Sequence, residues 1–281
     1  MKGRVFNGMR PTGRLHLGNY LGSVVNMVAL QDDYDCYFCI VDWHALTTGY
    51  EDTAELQYNT LDIAIDWLSS GIDPDKCVVF VQSNIKEHAE LHLLLSMITP
   101  LGWVERVPTY KEQLRQLEGR NIATYGFLGY PVLMAADIMA YKADTIPVGE
   151  DQLPHIEIAR EMVRRFNFLY QCSVFPEPEA KLTKFALLPG IDGRKMSKSY
   201  GNEIHMSDTP EEIRAKVAQM ITDPERIRKT DPGHPEVCVP YQFYKAFTPQ
   251  DHGNIAGECR GAQVGCVACK KRLADIIVQR M

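Results

Sequence analysis

Five consecutive residues, Lys195-Met196-Ser197-Lys198-Ser199, put two ammonium groups close together in a stretch punctuated by Gly190, Gly193 and Gly201. Cations on a hinged, mobile loop suit displacement at the α-phosphorus of a nucleotide, where the work is positioning and cancelling charge on the departing pyrophosphate. A solvated surface loop has the same composition, so the lysine pair alone decides nothing. A second element upstream changes the balance. There a turn at Pro11-Thr12-Gly13 separates a strand-like Arg4-Val5-Phe6 from an amphipathic helix expected from Leu17, and His16-Leu17-Gly18-Asn19 sits at the join. Gly18 leaves room for an adenine or phosphate against the backbone, and the free N–H groups of a helix start attract phosphate oxygens. His16 and Asn19 then face the phosphates; the competing reading of His16 is a helix cap.

Bringing together groups so far apart in the chain takes a nucleotide-binding fold. β-rich runs at Tyr37 to Val41, Val78 to Val81 and Thr145 to Val148 alternate with helical patterns near Glu55 to Leu68, His88 to Ile98, Pro131 to Tyr141 and Leu153 to Phe166. This predicts an α/β fold, a Rossmann-like, doubly wound parallel sheet whose ligand site lies at the carboxyl ends of the strands near the topological switch point. His16, Asp137 and Asp151 are expected to converge there. Beyond Asn202 the β signal fades, Thr209-Pro210-Glu211-Glu212 opens a helix, and Arg228 to Pro240 reads as an irregular connector. The expected domains are 1–202, catalytic and carrying the lysine loop, and 203–281, smaller and mainly helical. An unfinished amphipathic pattern runs into Met281, which leaves room for a further tail.

With these residues in view, the chain resembles the class I aminoacyl-tRNA synthetases, His16-Leu17-Gly18-Asn19 standing for their first signature and Lys195 to Ser199 for their second. Asn19 replaces the usual final histidine, an exchange also seen in the tryptophan-specific branch. Gly8-Met9-Arg10-Pro11-Thr12-Gly13, Leu133-Met134-Ala135-Ala136-Asp137 and Pro147-Val148-Gly149-Glu150-Asp151-Gln152 resemble that branch as well. The resemblance implies ATP-dependent activation of L-tryptophan to an adenylate and transfer to tRNA(Trp) by a homodimer. No side-chain nucleophile is needed, and Mg²⁺ would arrive with ATP, held by phosphates and water. A tyrosine-specific synthetase is one alternative. A non-charging paralogue serving as an RNA-binding or redox-sensing module is another.

An aromatic substrate with one N–H donor needs a dry slot with a single acceptor, because a buried polar group left unpaired costs about 1–3 kcal/mol. Asp137 is the expected acceptor, on a helix whose first turn Pro131 would suit, with Met134 one turn earlier on much the same face. By resemblance, Phe6, Gly8, His44, Met134, Ile146 and Val148 shape the indole slot, while Gln152 and Tyr125 hold the amino group. ATP falls to Arg10, Pro11, Thr12, Gly18, Asn19, Gly149, Glu150, Asp151 at the ribose, Leu187 beside the adenine, and the loop Lys195, Met196, Ser197, Lys198 and Ser199. His16, Asn19, Lys195, Lys198 and Lys111 assist catalysis. Arg10 stands where many of these enzymes have glutamine, and its cation suits either the substrate carboxylate or the phosphates.

A chain of 281 residues with 45% hydrophobic content can bury one large domain and a smaller one. No apolar run approaches the roughly 20 residues of a membrane span, and Met1-Lys2-Gly3-Arg4 leads directly into a strand, so the expected location is cytoplasmic, away from membranes. A net charge of −6 argues against indiscriminate nucleic-acid binding but allows a local basic surface for one folded RNA. From Asp251 to Met281, five basic residues (Arg260, Lys270, Lys271, Arg272, Arg280) face three acidic ones (Asp251, Glu258, Asp275).

Eight cysteines in a cytosolic chain read as reduced thiols or metal ligands rather than a disulfide scaffold. Cys36, Cys39, Cys77 and Cys172 read as structural. Cys238, Cys259, Cys266 and Cys269 form a C-x20-C-x6-C-x2-C array among Gly257, Gly261 and Gly265, which suits zinc or a [4Fe–4S] cluster. Spacing alone does not choose; the resemblance extends to a subset of the tryptophan branch that carries a [4Fe–4S] cluster, and so implies iron–sulfur here. His88 and His92, at i and i+4, read as an exposed helix face and not a zinc site.

Overall fold

The structure, a computed structural model, describes residues 2–108, 123–182 and 188–281. Five strands, β1 (Arg4–Met9), β2 (Asp35–Ile40), β3 (Val78–Val81), β4 (Thr145–Val148) and β5 (Glu179–Leu182), form one parallel sheet in the order β3-β2-β1-β4-β5. The chain works outward from β1 to β3, crosses back to the other side of β1 and continues to β5. The winding therefore reverses between β1 and β4, where parallel sheets open a crevice at their carboxyl ends. β1 and β4 pair only at Val5 and Thr145, and the Asn7 side-chain amide reaches the Pro147 carbonyl at 3.4 Å.

The helices are α1 (Leu17–Asn19), α2 (Val25–Leu30), α3 (Asp42–Gly49), α4 (Leu56–Ser69), α5 (Glu87–Ile98), α6 (Leu101–Val104), α7 (Tyr125–Ala140), α8 (Leu153–Leu169), α9 (Pro210–Gln219), α10 (Val239–Phe247), α11 (His252–Arg260) and α12 (Cys266–Arg280). Both faces of the sheet are covered because successive strand residues point to opposite sides. Phe38 meets Trp67 of α4 edge-on at 6.4 Å, while Phe6 and Tyr37 stack on Tyr141, just beyond α7, at 5.7 and 4.8 Å. The doubly wound expectation holds.

Two local expectations are corrected. The helix that carries Asp137 begins at Tyr125, not near Pro131: Thr124 caps it by accepting from Phe127 N–H at 3.2 Å, and Pro131 lies inside. Val132, Ala135, Ala136, Ile138 and Met139 are all buried along α7, and that burial outweighs the one hydrogen bond a proline cannot donate. The helix expected from Leu17 is interrupted: α1 and α2 are separated by a π-helical segment, Tyr20–Val24.

The chain forms two compact units. One comprises Met1–Gly13 and Ser23–Thr183 and contains the whole sheet; the other comprises Arg14–Gly22 and Lys184–Met281. In the second, α9 and α10 pack on α12, burying Ile213, Val217, Phe243, Tyr244, Leu273 and Ile277. Its α9 starts as expected, with Thr209 and Glu212 capping each other reciprocally. No described helix is long and apolar enough to cross a membrane.

Candidate active site

In the second unit His16 and Asn19 form a reciprocal cap. Asn19 N–H donates to His16 Nδ1 at 3.2 Å, and His16 N–H donates to Asn19 Oδ1 at 3.1 Å. A ring that accepts at Nδ1 carries its proton on Nε2, which makes Nε2 a donor suited to a phosphate oxygen. Burial holds the His16 pKa below its ordinary value, so the ring donates while neutral. Capping and ligand binding are thus compatible roles. A β-carbon at Gly18 would stand 3.0 Å from His16 Cε1 and 3.7 Å from Met196 Sδ. Glycine here lets the first signature fold onto the second.

Backbone hydrogen bonds join the same two segments: Leu17 N–H donates to Ile204 O and Met206 N–H to Leu15 O, both at 2.9 Å. The lysine loop is entered by a tight turn in which Gly190 N–H donates to Arg194 O at 2.7 Å and Gly193 takes φ +80°. Asn202, 2% exposed, then holds the loop from inside. Its Nδ2 donates to Asp192 Oδ1 at 2.7 Å and to Lys195 O at 3.1 Å, and its Oδ1 accepts from Ser197 N–H at 2.9 Å. Met196 is buried while Lys195 and Lys198 are exposed, so the loop turns its cations outward. Lys111 and Leu187 lie outside the described residues, and the side chains of Asp151 and Ser199 are not among those described.

In the first unit Asp137 is 1% exposed. His44 Nε2 of α3 donates to its Oδ2 at 2.9 Å, His88 Nδ1 of α5 donates to its Oδ1 at 2.7 Å, and Gln82 Nε2 lies 2.8 and 2.9 Å from the two oxygens. Burial, the largest single influence, pushes the Asp137 pKa up, but the combined hydrogen bonds and charges of His44 and His88 bring it below the usual carboxylate value. The group is an ionised acceptor. His88 is fully buried, which corrects the expectation of an exposed face: α5 packs on α7, so the i, i+4 stripe meets Asp137 instead of water. His92 is half-buried, and its Nδ1 has no hydrogen-bond partner among the described residues.

Around Asp137 the structure gathers Phe6 and Ile146 into one core cluster, with Met134 and Val148 packed against it. Gly8 is exposed near the end of β1, where a β-carbon would stand 3.0 Å from Val41 Cγ1. Gln152 is half-buried, in the 3-10 turn Glu150–Gln152 that follows Gly149, and Tyr125 is 72% exposed. Arg10 Nη2 donates to Thr48 Oγ1 at 2.5 Å, while its Nε is buried without a hydrogen-bond partner among the described residues. Beside it lies a cavity of about 400 Å³, also lined by Pro11, Thr12, Thr48 and Asn59. A shielded guanidinium N–H of this kind suits an anion.

Cys238 precedes α10, Cys259 lies near the end of α11, and Cys266 and Cys269 occupy the first turn of α12. The thiols are near enough for their charges to act on one another. Burial pushes Cys238 up to about 11 and also raises Cys259 and Cys269. Among the described residues, no three His, Cys, Asp or Glu side chains converge as they would around a single metal ion. Cys36, Cys39 and Cys77 are buried. The basic C-terminal stretch is partly neutralised: Arg272 pairs with Glu258 at 2.6 Å, Arg260 pairs with Glu236, and Lys270 Nζ donates to Ala218 O at 2.9 Å.

The parallel sheet reverses between β1 and β4 as expected of a class I tRNA synthetase, and the histidine signature is bonded to the segment after the lysine loop. A family model described as tRNA synthetases class I (W and Y) matches residues 1–281, and the chain belongs to this family. Within the family its similarity is to tryptophan-specific members. It is 50% identical to the tryptophan–tRNA ligase of Thermotoga maritima over 273 residues, 96% of this chain and 83% of that one. It is 44% identical to the tryptophan–tRNA ligase of Aquifex aeolicus, covering 96% and 86%. The crystal structure of tryptophanyl-tRNA synthetase from Campylobacter jejuni complexed with ADP and tryptophan matches with a TM-score of 0.86 at 35% identity, covering 98% of this chain and 84% of that one.

Proposed function

We propose that this chain activates L-tryptophan with ATP and passes the tryptophanyl group to tRNA(Trp). The observation that carries the reading is Asp137, a buried carboxylate held by His44, His88 and Gln82 on a helix whose neighbouring residues lie in the apolar core, which suits a substrate apolar except for one ring N–H. Similarity to tryptophan–tRNA ligases at 44–50% identity supports it. A carboxylate oxygen of tryptophan attacks the α-phosphorus, the bond to the bridging oxygen breaks, and pyrophosphate leaves. A terminal ribose hydroxyl of the tRNA then attacks the acyl carbon, and AMP leaves.

His16 Nε2–H and the ammonium groups of Lys195 and Lys198 offset charge growing on the leaving pyrophosphate. Arg10 takes the anion that its unpaired Nε awaits. Mg²⁺ enters as part of the nucleotide substrate. The roles of Pro11, Thr12, Gly18, Asn19, Gly149, Glu150 and Asp151 toward ATP, of Gln152 and Tyr125 toward the amino group, and of Lys111 and Leu187 rest on family resemblance. Tryptophan-dependent exchange of pyrophosphate into ATP tests the reading, with tyrosine as the contrast. Exchange supported by tyrosine and not by tryptophan would refute it.

Residues 203–281 are the proposed domain for the anticodon region of the tRNA. A homodimer in the cytoplasm is the proposed state, and exposed Leu94, Met97 and Leu101 on α5 and α6 offer an apolar face that supports self-association. Sedimentation equilibrium would measure it.

A [4Fe–4S] cluster on Cys238, Cys259, Cys266 and Cys269 is the finer proposal. Fit is favoured by four neighbouring thiols from three elements, two of them in the first turn of α12, and by Gly233, whose missing side chain leaves Cys259 Sγ its space. When bound, the cluster would act as a structural cross-link. Iron and sulfide analysis of anaerobically purified protein tests this, and one zinc per chain in place of iron would overturn it.

A further inference from the structure

Asp137 is anchored by a chain of groups that adenylate formation does not itself use. Tyr141 Oη lies 2.7 Å from His88 Nε2, and His88 Nδ1 lies 2.7 Å from Asp137 Oδ1. An ionised carboxylate only accepts, so Nδ1 carries the proton, Nε2 keeps its lone pair, and the Tyr141 hydroxyl donates to it. The reverse order would leave Asp137 protonated on Oδ1, a neutral and weaker acceptor. Tyr141 is itself fixed by its stacking on Phe6 and Tyr37 at 5.7 and 4.8 Å. Burial raises its pKa, which keeps the phenol protonated.

On the other side, Gln82 is oriented because its Oε1 accepts from Trp43 N–H at 3.2 Å, leaving Nε2 to face Asp137. Three nitrogens thus address the carboxylate, those of His44, His88 and Gln82. They make four short contacts, because Gln82 Nε2 reaches both oxygens, so the four lone-pair directions of the carboxylate are engaged and a ligand N–H would take over a direction that Gln82 shares.

We propose that His88 and Tyr141 are positioning residues for substrate discrimination: the Tyr141 hydroxyl satisfies His88 Nε2, and His88 Nδ1–H holds Asp137 as the acceptor for the substrate's ring N–H. This rests on the tryptophan reading above and adds the groups that set its selectivity.

The test uses the full chain in pyrophosphate exchange and compares tryptophan with β-(3-benzothienyl)alanine, an isostere without the N–H. Wild type is expected to prefer tryptophan by about 10⁴-fold in kcat/KM, as sites built around a substrate N–H do. Tyr141→Phe is expected to lower that preference about tenfold, the scale of one buried hydrogen bond, with the KM for ATP unchanged. His88→Leu lowers it further, and His88→Asn, which keeps a donor, restores part of it. A merely structural role would slow both substrates alike and leave the preference intact, which would overturn the inference. If His88→Leu does not fold, Tyr141→Phe, which removes one oxygen, decides alone. Wild-type protein that fails to activate tryptophan overturns the tryptophan reading, whereas wild-type protein that takes both substrates equally leaves that reading standing and overturns this inference alone.

Discussion

Asn202 fills the space beside Gly190 so closely that a β-carbon there would stand 2.2 Å from its Nδ2. The same amide grips Asp192, Lys195 and Ser197, so it is the internal scaffold of the lysine loop. Gly190→Ala must expel it and Asn202→Ala deletes it. Each is expected to slow adenylate formation about 10- to 100-fold, the cost of misplacing a reacting group by about 1 Å, without changing tryptophan affinity. Because both act through one amide, the double variant is expected to lose little more than the worse single. Rapid-quench measurement of adenylate decides, and additive losses would break the link.

Lys195 and Lys198 are exposed, and their ammonium groups suit the charge that grows on departing pyrophosphate. Replacing both with alanine is expected to lower kcat about 10³-fold or more while leaving the KM for tryptophan unchanged, the pattern of interactions made in the transition state. Single-turnover kinetics would show it. Undiminished adenylate synthesis would remove the lysine loop from the mechanism.

His16 is useful as a neutral donor, and burial depresses its pKa. Protonation would also place a proton on Nδ1 and break the cap with Asn19. The acid limb of kcat/KM for ATP is therefore expected below the ordinary imidazole value of about 6.5, and His16→Ala should slow the reaction about 100-fold and remove that limb. A depressed histidine pKa also stabilises the fold, fully above about pH 6.5 and progressively less as pH falls toward the folded value. A limb at or above pH 6.5 would contradict the buried, neutral ring.

Asp137→Asn would turn an NH₂ group toward donors from His44, His88 and Gln82. Unfolding in urea at pH 7 is expected to show a loss of about 2–4 kcal/mol, the cost of one or two unsatisfied buried donors. Since the wild-type pKa is depressed, the stabilisation is present above the ordinary carboxylate value and lost as pH falls through the folded one. The gap between the two proteins should therefore close only in strong acid. An equal gap at every pH would show that Asp137 is not ionised in the fold.

Strands β1 to β4 are legible because apolar runs rich in β-branched and aromatic residues lie between turn residues. β5, Glu179–Leu182, is not: Glu-Ala-Lys-Leu carries no strand preference and becomes one only by pairing with β4. Pro131 marks a helix start locally, yet the Thr124 cap and the buried stripe of α7 place that start a turn and a half earlier. Asp137 stands out by its type and surroundings in the chain. Its partners His88, Gln82 and Tyr141 do not, since i, i+4 spacing defines a helix face without saying what the face meets. Asn202 is hidden for a related reason: its partners are mostly backbone groups that only the folded loop brings within reach.

The antiparallel bridge between His16 and His205 has a mechanical consequence. It ties the histidine signature to the segment that follows the lysine loop, so both are carried by the same compact unit. A covalent strap across Leu15 and Met206, whose backbones already bond at 2.9 Å, would pass unnoticed by turnover.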